Sequence, residues 1–393
     1  MYELITYAVF ALALLYNTLA KRPIPKTLET IMIVIFLAVF GTRFSVNADT
    51  GTYAWLFRSM QDPIKEAAVY HTRRNVLYSL MSFGMKQAFH EFRWLVLLQN
   101  VLILAGCFWV VFRFSKNRLL STMLFIGSGM MEVYYGSGVR QALAMTCFLV
   151  GFYAFLPKKQ YLLYELCCLI AFGFQDIALV AVPLPLLMFL VKPFRQKPFT
   201  VLAWMGGVSI VILVFVYFFL SRFAYWLIDL VGPAPVWTHV IAYARFQQFS
   251  VLGIGMELVF LIGFGLLFWF SDKSKFSEFT WFSILVFFVS IFIYLAFCCY
   301  DLMSRVSDFI QIIMLVCVPE VLTAIPKKSV RTAGVIGLIG LNGFLLFSDI
   351  RANIARINGI GTDFTLMTYP YVNIFDTPNV TYYQNLLDNM WED

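Results

Sequence analysis

The chain has 393 residues, 61% of them hydrophobic and only 13% charged, with a mean hydropathy of +0.79. That lies far outside the soluble globular range and excludes a soluble multi-domain enzyme. The net charge of +7 would suggest nucleic acid in a soluble protein, but here it belongs first to the positive-inside bias of membrane loops.

Runs of about 20 apolar residues, enough to cross a hydrocarbon core of roughly 30 Å, recur from end to end. They predict one all-α polytopic membrane domain over residues 1–393. Met1-Tyr2-Glu3 carries acid rather than base, and no small-residue cleavage site follows, which predicts a first span rather than a cleaved leader. Spans are expected at about 3–20, 28–44, 93–114, 119–135, 139–156, 160–175, 177–191, 199–220, 251–270, 278–300, 303–322 and 332–349, twelve in all. The lysine-bearing connections, such as Lys116-Asn117-Arg118, Lys158-Lys159 and Lys327-Lys328, then share one side, the cytoplasmic one, and both termini lie outside. The stretch 75–90 is too short to cross and carries Lys86, so it is expected as a re-entrant or interfacial helix on the outer side. The outer segments are the loops 45–92 and 221–250 and the tail 350–393.

All seven cysteines lie in apolar segments and the three histidines are scattered, so neither a disulfide framework nor a zinc site is expected. Sorting the cations separates lysine, nearly all inside, from arginine, gathered at the outer ends. Arginine's rigid fork suits phosphate oxygens, whereas a lysine suffices to set topology. An arginine-rich outer face points to a phosphate or diphosphate ligand, with anionic lipid headgroups as the alternative for Arg58, Arg73 and Arg74.

Four polar constellations stand at outer ends. Asp49, Tyr53 and Phe57 share a helix face just after Arg43, where Asp49 is either a general base or a cap and ion-pair partner. Arg140 and Gln141 open the fifth span after Gly136-Ser137-Gly138. Charges bordering spans usually face a cavity; interfacial snorkelling is the alternative. Gln175-Asp176 forms the tip of a hairpin whose arms of about 15 residues rise roughly 23 Å. Such a tip stays submerged and needs a wet cavity or neighbouring hydrogen bonds. Asp301, Arg305 and Asp308 recur along one helix face, where an Asp–Arg pair is either functional or satisfies itself. No Walker, Rossmann or Ser-His-Asp pattern is present.

At these residues the chain resembles the EpsG family of Wzy-like polysaccharide polymerases. The similar features are Arg43…Asp49…Tyr53…Phe57, the Gly138-Val139-Arg140-Gln141-Ala142-Leu143-Ala144 segment, Ser304-Arg305 and Tyr369-Pro370-Tyr371. Two departures stand out: Ala48 where the family often has glycine, and Gln175-Asp176-Ile177 where it usually has histidine followed two residues later by serine or threonine.

The resemblance implies a polymerase that joins undecaprenyl-diphosphate-linked oligosaccharide repeat units on the outer face of the bacterial cytoplasmic membrane. Asp49 or Asp176 is then the base, Arg140, Arg305 and Arg43 bind the diphosphate, and Gln175 orients the acceptor. Tyr53, Gln141 and Asp301 complete the substrate contacts, and arginines replace a metal, so no cofactor is expected. The expected partners are the lipid-linked oligosaccharide, membrane lipids, a chain-length regulator and a flippase, with no nucleic acid. A flippase or transporter of the same lipid-linked sugar is the alternative from a different class; it predicts polar groups spread through the membrane depth.

Overall fold

A computed structural model describes residues 2–20, 23–44, 48–64, 76–128, 138–220, 222, 226, 251–298, 301–358, 364–365 and 372–389. In chain order the helices are α1 (Tyr2–Leu19), α2 (Lys26–Gly41), α3 (Ala48–Ser59), α4 (Val76–Phe89), α5 (Phe92–Phe114), α6 (Arg118–Gly127), α7 (Val139–Ala154), α8 (Tyr161–Phe174), α9 (Met188–Gln196), α10 (Pro198–Phe215), α11 (Val251–Phe270), α12 (Glu278–Phe297), α13 (Asp301–Gln311), α14 (Met314–Thr323), α15 (Lys328–Asn358) and α16 (Thr377–Asn389). Among the described residues the strands are β1 (Arg43–Phe44) and β2 (Val372–Asn373). They pair antiparallel, Arg43 opposite Asn373 and Phe44 opposite Val372.

Among the described residues eight helical segments are long and apolar enough to cross a membrane, and a ninth arises if Arg305–Gln311 and Met314–Thr323, bent by 53°, form one broken span. Twelve long spans are not shown. The three shortfalls are α2 with 16 residues, α6 with 10 and α8 with 14. At about 1.5 Å per residue, the 14 residues of α8 rise roughly 21 Å, short of a core of roughly 30 Å. The expected run 119–135 ends as helix at Gly127, and residues 129–137 lie outside the described ones.

The chain forms two compact units, Met1–Leu179 with Lys327–Asp393, and Val180–Pro326. In the first unit α1, α6 and α15 pack together. Tyr7 donates from Oη to the Ile339 carbonyl at 2.6 Å. A Cβ on Gly127 would stand 2.7 Å from Asn342 Cβ, so the missing side chain is what lets these helices close. Phe36, buried between Phe10, Phe40, Phe108 and Phe125 at centroid distances of 4.9 to 6.3 Å, fills the space between α1, α2, α5 and α6.

A second core in this unit joins α3, α5 and the tail: Phe44, Phe57, Phe92, Val372, Ile374 and Val380 are buried together. Ile374 N donates to the Thr42 carbonyl at 2.7 Å, extending the β1–β2 pairing. The tail is therefore part of this unit's core.

In the second unit α12 is buried along most of its length and packs against α10, α11, α13 and α14. Phe194, Phe268, Phe276, Trp281 and Phe288 form its aromatic centre, with Phe194 and Phe268 stacked at 5.9 Å. Helix α10 buries only Ser209 and exposes Trp204, Ile210 and Val211. An exposed apolar face of this kind suits lipid rather than water. Before α9 the chain runs as two short 3₁₀ turns, Asp176–Ala181 and Leu184–Leu187. Pro183 and Pro185 remove the amide donors that a regular helix needs there.

Candidate functional site

The first unit brings two of the expected site residues into contact. Tyr53 projects from α3 and Arg140 from the first turn of α7; Arg140 Nε donates to Tyr53 Oη at 3.3 Å, and its Cζ lies 5.5 Å from the Tyr53 ring centroid. The guanidinium thus lies near an aromatic ring, within cation–π range. Tyr78 of α4 packs its ring 5.6 Å from that of Tyr53, and Gln99 of α5 donates from Nε2 to Tyr78 Oη at 3.0 Å.

Four helices therefore contribute one side chain each to a half-buried cluster of one cation, two phenols and an amide. Burial pushes the Tyr78 phenol up from its ordinary range, with Tyr53 adding to the shift and Arg140 and the Gln99 hydrogen bond opposing it. It stays neutral at physiological pH. Chemically the cluster offers a fixed guanidinium with hydroxyl neighbours, the donor set that phosphate oxygens accept from.

The hairpin tip is held at the same end of the helix pair. Helices α7 and α8 pack antiparallel around the turn Leu156–Lys158, so the start of α7, with Arg140, and the end of α8, with Gln175, point the same way. Helix α4 leans on α8 beside this tip, where a Cβ on Gly173 would come 2.5 Å from Leu77 Cδ1. Gln175 ends α8, half-buried, with its amide bonded to the Ala171 carbonyl at 2.9 Å, and Asp176 is exposed at the start of the 3₁₀ turn. Gln141 is buried at 4% exposure.

Arg43 is buried against α1. It is 3% exposed and its Nη2 lies 2.6 Å from Glu3 Oε1 of α1, itself equally buried. Asn100 of α5 holds the adjoining backbone, donating to the carbonyls of Arg43 at 2.8 Å and Gly41 at 3.2 Å. In this arrangement Arg43 anchors α1 to β1. Asp49 lies in the first turn of α3 and Asp301 opens α13, but both side chains fall outside the described residues, as does Tyr369-Pro370-Tyr371.

In the second unit Arg305 is exposed on α13. Further along that helix, Gln311 Nε2 donates to Glu257 Oε1 and Oε2 at 3.1 and 3.2 Å and to Ser307 Oγ at 2.9 Å, and Ser307 donates to the Ser290 carbonyl at 2.8 Å. Among the described residues no group of three or more His, Cys, Asp or Glu could hold a metal ion.

The sequence profile of the EpsG family matches residues 26–384. The chain belongs to the EpsG family. EpsG proteins are membrane proteins linked to exopolysaccharide synthesis. Comparison with curated proteins and with solved structures gives no match.

The sequence of this EpsG-family chain marks Arg140 and Tyr53 but neither Tyr78, which packs on Tyr53, nor Glu3, which pairs with Arg43. Tyr78 carried no signal, since a tyrosine in an apolar helix is ordinary. Glu3 read as a terminal acid. Gln99 and Asn100 did carry a signal, two adjacent amides inside the 23-residue apolar α5, because buried polar groups in spans demand partners.

Proposed function

We propose that this chain is a polysaccharide polymerase, a membrane glycosyltransferase that joins undecaprenyl-diphosphate-linked oligosaccharide repeat units on the outer face of the bacterial cytoplasmic membrane. The observation that carries the reading is Arg140 held by Tyr53 at the mouth of α7 in an EpsG-family protein.

In the reaction an acceptor hydroxyl attacks the anomeric carbon of the donor glycan, the bond to the diphosphate oxygen breaks, and undecaprenyl diphosphate departs. A base must take the hydroxyl proton, and a cation must meet the charge that develops on the leaving oxygen. Arg140 takes the second role. Asp176, at the same end of the α7–α8 pair, is one candidate base; Asp49, early in α3, is the other. Gln175 orients the acceptor sugar, and Gln141 supports the first turn of α7. Arg305 and Asp301, in the second unit, are separate candidates for substrate contact. Arg43 pairs with Glu3, and in this reading it acts through the fold.

The reading carries a topology with it: lysine loops in the cytoplasm, both termini outside, α4 lying on the outer surface, and α2, α6 and α8 completing twelve crossings in one membrane domain. A chain-length regulator and a flippase of the same pathway are the proposed partners.

Purified protein in lipid, given a synthetic undecaprenyl-diphosphate repeat unit, is expected to produce a ladder of lipid-linked glycans. Absence of a ladder from folded protein with the correct unit would overturn the reading. One observation favours a transporter instead: the chain of polar groups Glu257, Gln311, Ser307 and Ser290 between α11, α12 and α13 of the second unit, since carriers place such groups in the membrane interior. Movement of the labelled lipid across a vesicle membrane without any ladder would decide for that reading.

A further inference from the structure

Gln99 lies inside the 23-residue apolar helix α5 and is 3% exposed. A buried amide in such a helix needs a partner, and its Nε2 donates to Tyr78 Oη of α4 at 3.0 Å. Helix α4 packs on α3, α5 and α8, yet among its described residues it buries only Tyr78 and Ser82. Tyr78 is thus the large side chain that roots α4 in the first unit. An apolar ring there would be buried as well, but apolar contact has no direction, whereas a hydrogen bond does. The bond from Gln99 therefore fixes one place for the Tyr78 ring.

That place is against Tyr53. The two ring centroids are 5.6 Å apart with the planes inclined by 55°. Tyr53 in turn accepts the hydrogen bond from Arg140 Nε at 3.3 Å, and its ring lies 5.5 Å from Arg140 Cζ. Tyr53 is itself half-buried on α3. Without the Tyr78 ring beside it, its side chain has room to turn to another staggered rotamer, which would carry the phenolic oxygen away from Arg140. A line of contacts therefore starts at a buried amide of α5 and ends at the guanidinium of α7.

We propose that Tyr78 and Gln99 are positioning residues of the Arg140 site: they set the place of Tyr53 and, through it, the direction of the guanidinium toward a diphosphate. The inference rests on the proposed function in taking a diphosphate as the group that Arg140 meets. Stabilising a departing anion requires donors held to within about 0.5 Å by neighbours that are themselves locked by packing and hydrogen bonds. Tyr78 supplies the packing and Gln99 the hydrogen bond. Any buried pair also contributes to stability, but a positioning pair differs in acting on the ligand only while Arg140 is present.

The test is a double-mutant cycle on the full chain in lipid nanodiscs, read by affinity for undecaprenyl diphosphate and by the initial rate of ladder formation. Tyr78→Leu removes both ring and hydroxyl and is expected to lower each readout by about tenfold. Tyr78→Phe, which keeps the ring, and Gln99→Leu should each cost a smaller factor of about two to five. In the Arg140→Ala background all three should change either readout by about twofold or less, because residues that act as a unit are not additive. Melting temperatures in the same nanodiscs identify folded variants, and where Tyr78→Leu does not fold, the two milder substitutions complete the cycle. Losses of equal size with and without Arg140 would mean a structural role alone and overturn the positioning, as would wild-type readouts in folded Tyr78→Leu. The two readings fail separately. Diphosphate binding without a ladder removes the polymerase and leaves the cycle to be read from affinity, whereas a ladder with an additive cycle keeps the polymerase and removes the positioning. A wild type that neither binds the diphosphate nor makes a ladder overturns both.

Discussion

Arg140 donates from Nε to the phenolic oxygen of Tyr53 across 3.3 Å, although the two residues are 87 positions apart. The contact matters because Arg140 stands in the first turn of α7, where a mobile guanidinium would sample many rotamers. Hydrogen-bonded to one tyrosine and lying within cation–π range of its ring, it is held in place by the fold, as the proposed function requires. Preorganisation of this kind is what lets a cation stabilise a departing diphosphate without reorganisation at the moment of reaction.

Arg140→Ala is therefore expected to lower the rate of glycan ladder formation by about 10²- to 10³-fold, the usual effect of removing one preorganised donor. Tyr53→Phe keeps the ring and deletes the hydrogen bond, worth roughly 0.5–1.5 kcal/mol, so a fall of about two- to tenfold is expected. Initial rates read from the gel ladder check both. Wild-type rates in Arg140→Ala would sink the assignment of this arginine.

The Gln99–Tyr78 hydrogen bond is buried and spans two helices. Tyr78→Phe and Gln99→Leu each strand one partner, and each should destabilise the protein by roughly 1–2 kcal/mol. The double variant removes both polar groups and should lose less than the sum of the two. Thermal unfolding in a fixed detergent measures this; simple additivity would mean that the two side chains are not coupled.

Glu3 and Arg43 form an ion pair in which each side chain is only 3% exposed. Breaking it by Glu3→Ala leaves a buried guanidinium without its carboxylate and should cost about 3–5 kcal/mol. Replacing both by methionine should recover most of that loss, since an apolar pair of similar volume is often neutral there. If Glu3→Ala unfolds at the wild-type temperature, Arg43 is not an anchor and its role as a substrate ligand returns.

Gly173 is in contact range of Leu77 and cannot take a side chain without moving α4. Gly173→Val should destabilise by about 1–3 kcal/mol through overpacking and disturb the cluster that Tyr78 joins. A Cβ on Gly337 of α15 would meet nothing within 4 Å, so Gly337→Ala serves as the control and should be neutral or stabilising by roughly 0.5–1 kcal/mol. Equal behaviour of the two variants would rule out close packing at the hairpin tip.

The sequence by itself determined that this is a helical membrane protein of the EpsG family, and it marked Arg140 as a residue worth following. Hydropathy adds along the chain and helical hydrogen bonds are local, so both can be read from neighbours alone. Span number was less legible: α2, α6 and α8 have apolar composition without the length, and a helix's end depends on what it packs against. Only the tertiary structure decided that Arg43 pairs with Glu3, that Tyr53 holds Arg140, and that the tail completes a core through Val372 and Ile374. Each of these joins elements from distant parts of the chain, and in a membrane, where lipid is as apolar as the helices, such meetings are set by shape and by buried polar groups seeking partners, which no local pattern encodes.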